Sequence, residues 1–338
     1  MKMYIKEELI SIIMPVFNSE DYIEDSILSI LNQTYKNFEL IILDDGSTDD
    51  SKQVIEQYSE IDSRIRPFYS LMNIGIVNRL NEGISLAKGA IIARMDSDDI
   101  SLPNRLEIQL IFLINNPLID VVGTSTITID VNGDQTDIIR RSTNSLHLYW
   151  ISFFSNPLSH PTVMFKKESV LAAGGYMLNQ YPVEDFELWL RVMKSGRISN
   201  IDEPLLKYRV HSNSISKSNA DFQLNKFKNL LDNHWQTNGI DNVDLCLMNV
   251  SFLNLKHTEH TIKKIFSNFN KLIALKRKVE NHFQEKSEKI NIDFINRSLY
   301  IFSILKKKSV LLYLILVLQL FASHPILLLN KLWNLKSY

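Results

Sequence analysis

The stretch Gly89-Ala90-Ile91-Ile92-Ala93-Arg94-Met95-Asp96-Ser97-Asp98-Asp99 decides how this chain is read. Its first half is apolar and short, which predicts a buried strand. Its second half packs three carboxylates into four residues. Such a turn repels itself unless a cation or a donor network is present. Hard oxygens at the carboxyl end of a strand suit Mg²⁺ or Mn²⁺, which leave coordination positions for substrate phosphates. In open α/β sheets that end of a strand is where ligands sit. A solvated turn leading into the helix near Pro103 is the plainer alternative for an isolated Asp-Xaa-Asp, and the flanking sequence argues against it.

Upstream, short apolar runs alternate with amphipathic ones. Leu9 to Val16 reads as a strand, and Ile23, Ile27, Ile30 and Leu31 follow at helical spacing. Phe38 to Leu43 is a second strand, ending in Asp44-Asp45-Gly46-Ser47-Thr48-Asp49. A polar helix runs from there to about Tyr58, with Thr48 or Asp49 as its cap. Ile65 to Tyr69 is a third strand, and Ile76 to Ala87 a helix closed by Gly89. This β-α-β-α order predicts an α/β fold with a mostly parallel sheet and helices on both faces.

Downstream, Pro103 opens a helix reaching about Asn115. Ile119 to Ile139 alternates around the hairpin signal Asn132-Gly133. Asp185 to Lys194 is helical, with Phe186, Trp189, Leu190 and Met193 on one face. Leu205 to Val210 reads as a strand before His211. From about Ser216 the pattern is helical and rich in Lys and Asn.

Composition is that of an ordinary globular protein, with 45% hydrophobic and 22% charged residues. The single cysteine, Cys246, excludes an internal disulfide framework and fits a reducing compartment. The N-terminal apolar run is strand-length and ends at Pro15, so no signal peptide is expected. The net charge of −1 conceals an asymmetry: residues 256–338 carry 15 Lys/Arg against 5 Asp/Glu, a formal +10, and residues 1–255 carry 22 against 33, a formal −11. A basic tail suggests an anionic partner. The charge-free stretch from Val310 to Leu329 makes that partner a membrane surface rather than nucleic acid. Pro325 breaks a helix there. An in-plane or re-entrant segment is the leading reading, with a true span and a buried soluble helix as alternatives.

The first, second and fourth strands end in Met14-Pro15-Val16-Phe17-Asn18, in Asp44-Asp45-Gly46-Ser47 and in Asp96-Ser97-Asp98. In a parallel sheet these termini share one edge. An aromatic ring, a carboxylate acceptor and a cation site would converge there, which suits a nucleoside diphosphate. Taken singly, Phe17 reads as core and Asp44-Asp45 as turn formers. Their joint occurrence carries the argument.

At this point the chain resembles the family 2 glycosyltransferases of the GT-A type. The resemblance rests on MPVFN (14–18), ILNQTYKNFELIILDDGSTD (30–49), NIG…LNEGISLAKGAIIARMDSDDISLPNRL (73–106), YPVEDFELWLRV (181–192) and YRVHSNSIS (208–216). It covers about residues 10–216 and stops there. It implies a GT-A fold, Rossmann-like, followed by a mainly helical C-terminal extension. Residues 1–105 would form the nucleotide-sugar-binding half and 106–215 the acceptor half. Residues 216–338 would be a basic helical region with a membrane-associating segment at 309–330.

The resemblance also implies roles. Phe17 and Pro15 would line the base pocket, Asp45 would accept from the uracil N3–H, and Asp96, with Ser97, would contact the ribose or help order the metal. Asp98 would ligate Mn²⁺ or Mg²⁺, and His211 would reach the metal or the diphosphate. Asp185 would be the general base, with its ionised form favoured by the helix N-terminus. Glu184 and His160 fall on the acceptor side. Many relatives carry Tyr where Phe17 stands, so here only stacking is left. The implied activity is inverting transfer of a hexose (Gal, Glc or an N-acetyl form) from a UDP-sugar, with β-linkage. The acceptor would be a polyprenyl-diphosphate-linked sugar at the cytoplasmic face of a bacterial plasma membrane, in surface-polysaccharide synthesis. A nucleotidylyltransferase would need a Gly-rich phosphate loop after the first strand, and Met14 to Glu20 has no glycine. A glycan-binding scaffold on a decayed transferase fold would not need Asp45, Asp98 and Asp185 intact.

Overall fold

The computed structural model describes residues 8–211, 220–243, 262–284, 286–306 and 317. The chain divides into two compact units, residues 1–148 with 156–226, and 149–155 with 227–338.

In the first unit the expected alternation appears: β1 (Ile10–Val16), α1 (Ile23–Leu31), β2 (Phe38–Asp44), α2 (Ser51–Ile61), β3 (Ile65–Tyr69), α3 (Ile76–Leu86) and β4 (Ile91–Arg94). Then come β5 (Ile100–Ser101), α4 (Arg105–Asn115), β6 (Ile119–Ile129), β7 (Gln135–Ile139), α5 (Ser145–Ile151), β8 (Met164–Lys166), α6 (Lys167–Ala172), α7 (Glu184–Val192) and β9 (Arg197–Arg209). All nine strands join one sheet in the order β3-β2-β1-β4-β8-β6-β9-β5, with β7 paired to β6. The first four strands are parallel throughout. The second half adds β8, antiparallel to both β4 and β6, and β9, parallel to β6 and antiparallel to β5.

Every residue of β1 and β2 is buried, the pattern of parallel strands covered on both faces. Ile10, Ile12, Met14 and Val16 share a core with Ile23, Ile27 and Ile30 of α1, Ile55 of α2, and Leu106 and Leu110 of α4. The alternate residues of β1 face α3. A Cβ on Gly83 would lie 2.6 Å from Ile13 Cγ2 and 3.1 Å from Leu43 Cδ1, so α3 sits this close to the sheet only because Gly83 has no side chain.

Some local expectations shift. Helix α2 begins at Ser51 with Asp50 at its N-cap. Asp49 still serves the helix start, because its Oδ1 accepts the Ser51 N–H at 3.0 Å. The strand expected from Leu205 begins at Arg197 and is thirteen residues long. Asn132-Gly133 does form the β6–β7 turn, with Gly133 at φ 88°.

The register fixes the site. Ile13 pairs with Arg94, and Val16 pairs with Asp44. Residues 14–18, 44–49 and 95–99 therefore leave the sheet at one edge. Pro15 fits because the β1 groups that face β4 end their ladder at Ile13, whose carbonyl accepts the Met95 N–H. No bond is lost to its missing donor.

Helix α8 (Ala220–Thr237) starts in the first unit and continues into the second, which also holds α9 (Ile262–Phe283) and α10 (Glu288–Lys306). Residues 149–155 supply this unit with aromatic anchors that the sequence pattern does not reveal. Trp150 Nε1 donates to Asp293 Oδ2 at 2.5 Å, and Trp235 Nε1 to the Phe153 carbonyl at 2.8 Å. The Arg297 guanidinium lies 3.5 Å from the Phe154 ring centroid. Among the described residues no helix is long and apolar enough to cross a membrane. The stretch 310–329 lies outside the described residues except for Val317.

Candidate active site

At the shared edge, the loop after β1 is tied to the loop after β2. Asn18 donates its N–H to Ser47 Oγ at 2.9 Å, and Asn18 Oδ1 accepts the Thr48 N–H at 2.8 Å. Beside this seam Phe17 stands 48% exposed, as a ring free to stack. Asp45 is buried and engaged by three protein donors. Its Oδ1 accepts from the Ile74 N–H at 3.0 Å and Arg79 Nε at 3.1 Å, and its Oδ2 accepts from the Gly75 N–H at 2.9 Å. Arg79 also donates to the Asp44 carbonyl and to Glu82. Asp44, equally buried, keeps Oδ1 without a hydrogen-bond partner among the described residues. Asp45 thus braces the loop before α3 as well as standing at the sheet edge.

Past β4, Asp96, Asp98 and Asp99 each bring one carboxylate oxygen within 4.8 Å of the others. Three arginines hold this turn, and sequence reasoning had singled out none of them. Arg94, 4% exposed, pairs with Asp96, its Nη1 lying 2.5 Å from Asp96 Oδ2. Arg105 donates to the Arg94 carbonyl at 2.6 Å. Arg209 donates its N–H to Asp99 Oδ1 at 2.8 Å and its Nε to the Asp98 carbonyl at 2.9 Å, and its guanidinium lies 4.6 Å from the Tyr22 ring. His211 follows from the end of β9, with Nε2 at 2.9 Å from Asp98 Oδ2. Ser97 Oγ shares a 2.8 Å hydrogen bond with Ser19 Oγ, which fixes the turn to α1's approach.

The electrostatics record the crowding. Burial pushes Asp96 up to about 6, and repulsion from Asp98 adds to it against the pull of Arg94. Asp99 is pushed well above the ordinary range by burial and by its two neighbours, and its Oδ2 has no hydrogen-bond partner among the described residues. Three carboxylates with one oxygen each within 4.8 Å of the others, and a histidine nitrogen in contact with one of them, are a hard-donor set that fits a divalent cation.

Across Arg94 from this turn, Asp185 lies in the first turn of α7. Its Oδ2 accepts from Asn156 Nδ2 at 2.7 Å and its Oδ1 from the Phe186 N–H at 2.7 Å. The helix N-terminus was expected to favour the ionised form. Burial outweighs it, and the Asp185 pKa is raised despite these bonds and Arg94. Glu184 is pushed up to about 7, by burial and then by Asp185, and its Oε2 is unpartnered. His160 Nε2 lies 2.8 Å from the Tyr176 hydroxyl. Burial, reinforced by Arg94, drops the His160 pKa well below the usual value, so the imidazole is neutral. The Tyr176 backbone is clamped by Asn81 through 2.8 and 2.9 Å bonds.

Arg94 links the two sides, acting on Asp96 and Asp99 as well as on Asp185, Glu184 and His160. A 540 Å³ groove lined by Ala90, Ile91, Leu113 and Leu171 lies elsewhere, at the opposite end of β4.

With this arrangement in view, comparison with known proteins is direct. The family model described as Glycosyl transferase family 2 matches residues 11–171. The Escherichia coli O-antigen biosynthesis glycosyltransferase WbnJ is 40% identical over 216 residues, which is 62% of this chain and 83% of WbnJ. The chain therefore belongs to glycosyl transferase family 2. Among solved structures, S. aureus TarS 1–349 in complex with UDP-GlcNAc shares the fold at a TM-score of 0.55 and 18% identity, over 88% of this chain and 91% of that one. The mannosyltransferase PcManGT from Pyrobaculum calidifontis, in complex with GDP-Man and Mn²⁺, does so at 0.50 and 14%, over 88% and 86%. The GT-A architecture is thus shared across distant sequences.

Proposed function

We propose that the chain is an inverting, metal-dependent glycosyltransferase of bacterial surface-polysaccharide synthesis. It takes a hexose (Gal, Glc or an N-acetyl form) from a UDP-sugar and adds it in β-linkage to a polyprenyl-diphosphate-linked sugar at the cytoplasmic face of the plasma membrane. The observation that carries the reading is the presence of two carboxylate groups of different character around one buried cation, Arg94. Asp98 with His211 stands on one side, and Asp185 with Asn156 on the other. The relationship to an O-antigen transferase supports the polymer class, and the UDP-sugar complex of a fold relative supports the donor class.

Phe17, with Pro15, lines the base pocket and stacks on the base, and Asp45 accepts from the imide N–H. Asp96 and Ser97 face the ribose. Asp98 and His211, backed by Asp96 and Asp99, would hold Mn²⁺ or Mg²⁺, which when bound supplies positive charge beside the leaving diphosphate.

Asp185 takes the proton of the acceptor hydroxyl as that oxygen bonds to the anomeric carbon. The bond from that carbon to the diphosphate breaks, and its electron pair leaves with UDP. Attack from the face opposite the leaving group inverts the centre through an oxocarbenium-like transition state. A raised pKa suits this base, because proton transfer is most effective when the pKa lies near the working pH. The neutral His160–Tyr176 pair and Glu184 line the acceptor side as hydrogen-bonding groups.

The test is transfer from a panel of UDP- and GDP-sugars to a lipid-linked acceptor with Mn²⁺. The product's anomeric proton coupling should show a β-linkage from an α-linked donor. An α product overturns the single displacement, and inertness toward every sugar nucleotide overturns the enzymatic reading.

A further inference from the structure

The side-chain amide of Asn156 is held at both ends, and its backbone is held by Arg141. Its Oδ1 accepts the Leu158 N–H at 3.3 Å, which settles which end of the amide is the donor. Its Nδ2 then points to Asp185 Oδ2 at 2.7 Å. Its carbonyl receives Arg141 Nη1 at 3.4 Å, and the same guanidinium reaches Ser159 Oγ through Nη2 at 3.0 Å. No carboxylate pairs with Arg141 at salt-bridge distance among the described residues. Its charge acts on Asp185 through space.

We propose that Asn156 is the positioning residue of Asp185: its amide fixes the carboxylate's rotation about the last side-chain bond and leaves a chosen lone pair of each oxygen open to the acceptor hydroxyl. The inference rests on Asp185 being the base and extends it. Asp185 Oδ1 is bound by its own helix through the Phe186 N–H, and Oδ2 by Asn156 from another segment. Two donors in fixed directions remove the freedom that a side chain in the first turn of a helix otherwise keeps. A base must lie within hydrogen-bond reach of the proton it takes, and small losses of alignment are costly. The donor also favours the ionised carboxylate, which burial opposes.

The charged and titratable groups facing Asp185 are Glu184 on its own helix, Arg94 and Asp96 at the end of β4, Arg141 after β7, and Tyr176 before α7. None of these makes the bond that Asn156 makes. The replacement Asn156→Asp keeps the shape and turns the donor into a second anion against Asp185. Asn156→Ala removes the bond without adding charge.

The experiment measures steady-state transfer against pH, and sugar-nucleotide affinity by titration, for the full chain, Asn156→Ala, Asn156→Asp and Asp185→Asn. Asn156→Ala should lower kcat about tenfold, with donor KM within twofold of wild type. Asn156→Asp should lower kcat about a hundredfold near neutral pH, move the acid limb of the profile to higher pH, and recover part of the loss in alkaline buffer. A kcat loss with no shift of the acid limb in either variant, or a matching loss of donor affinity, overturns the positioning role. Should Asn156→Asp fail to fold, Asn156→Ala decides alone through its kcat against KM split and its limb. Asp185→Asn separates the two claims. If it keeps full activity the base assignment falls, whereas if it is inactive while both Asn156 variants match wild type, only the present inference falls.

Discussion

The two sides of the site use the same residue type under different constraints. Asp96, Asp98 and Asp99 are crowded into one turn: the Arg94 guanidinium pairs with Asp96, the Arg209 guanidinium holds the Asp98 carbonyl while its backbone N–H holds the Asp99 carboxylate, and His211 Nε2 meets the Asp98 carboxylate. Among the described residues Glu184 and Asp185 have no cation at salt-bridge distance; Asp185 is held by an amide and a helix N–H, and Glu184 is buried. The first group keeps oxygens open to a further positive charge. Burial raises proton affinity on both sides, Asp96 to about 6 and Glu184 to about 7. Burial sets the direction of the shift on both sides, and what opposes it by direct contact differs: a guanidinium for Asp96, an amide and a helix N–H for Asp185.

The sharpest break of this contrast is Asp98→Ala, or chelation of the wild type. Either should lower transfer about 10²–10³-fold, the cost of losing one stabilising group on a developing charge. Full transfer under both conditions removes the anchor role from the first group. Next is Asp185→Asn, which keeps the shape without the proton acceptor. Transfer should fall at least about a hundredfold with sugar-nucleotide affinity preserved. Loss of affinity with turnover of bound donor intact would move Asp185 to the donor side. In the wild type, kcat should rise with pH through the Asp185 pKa, on a limb lying above the usual carboxylate range of about 4.

A third measurement uses stability. A carboxyl whose pKa is raised by folding holds its proton more tightly in the native state. Stability therefore falls as pH climbs from the unfolded value of 4.5 toward about 7 for Glu184. Glu184→Gln removes that loss. Relative to wild type the variant should gain on the order of 1–2 kcal/mol between pH 5 and pH 8 in denaturant unfolding. A constant difference across that range would show that Glu184 is not destabilised by burial. The smallest effect concerns the basic tail. Truncation before Ser309 removes Lys331 and Lys336 with the charge-free stretch. It should shift the protein toward the soluble fraction and lower activity on a long-chain lipid acceptor by about tenfold or less, at ~1 kcal/mol for each surface-bound Lys. A short soluble acceptor should be used as before. An unchanged ratio between the two acceptors would take the membrane role away from the tail.

The sequence by itself determined the alternation of the first four strands with three helices, because buried parallel strands need continuous apolar runs such as Phe38 to Leu43, and helices need their own period. It determined as well that Asp44-Asp45 and Asp96-Ser97-Asp98 leave the sheet at one edge, since parallel strands carry their C-termini together. Asp185 and His211 were legible only through resemblance to a family, as their partners lie far along the chain. Tertiary structure alone decided what each carboxylate meets. Asp45 and Asp44 are neighbours in sequence, yet the approach of the loop before α3 gives one three donors and leaves the other an empty oxygen. Asn156 sits in a segment without periodic or motif signal, and only the packing of α7 against it turns its amide toward Asp185. Residues 149–155 read as part of one unit and pack with another, because the pairing of Trp150 with Asp293 spans a separation that no local pattern encodes. Local chemistry fixes which residues can be strand, turn or acid; the direction and partner of each polar atom depend on segments some thirty to more than a hundred residues away, and those meet only on folding.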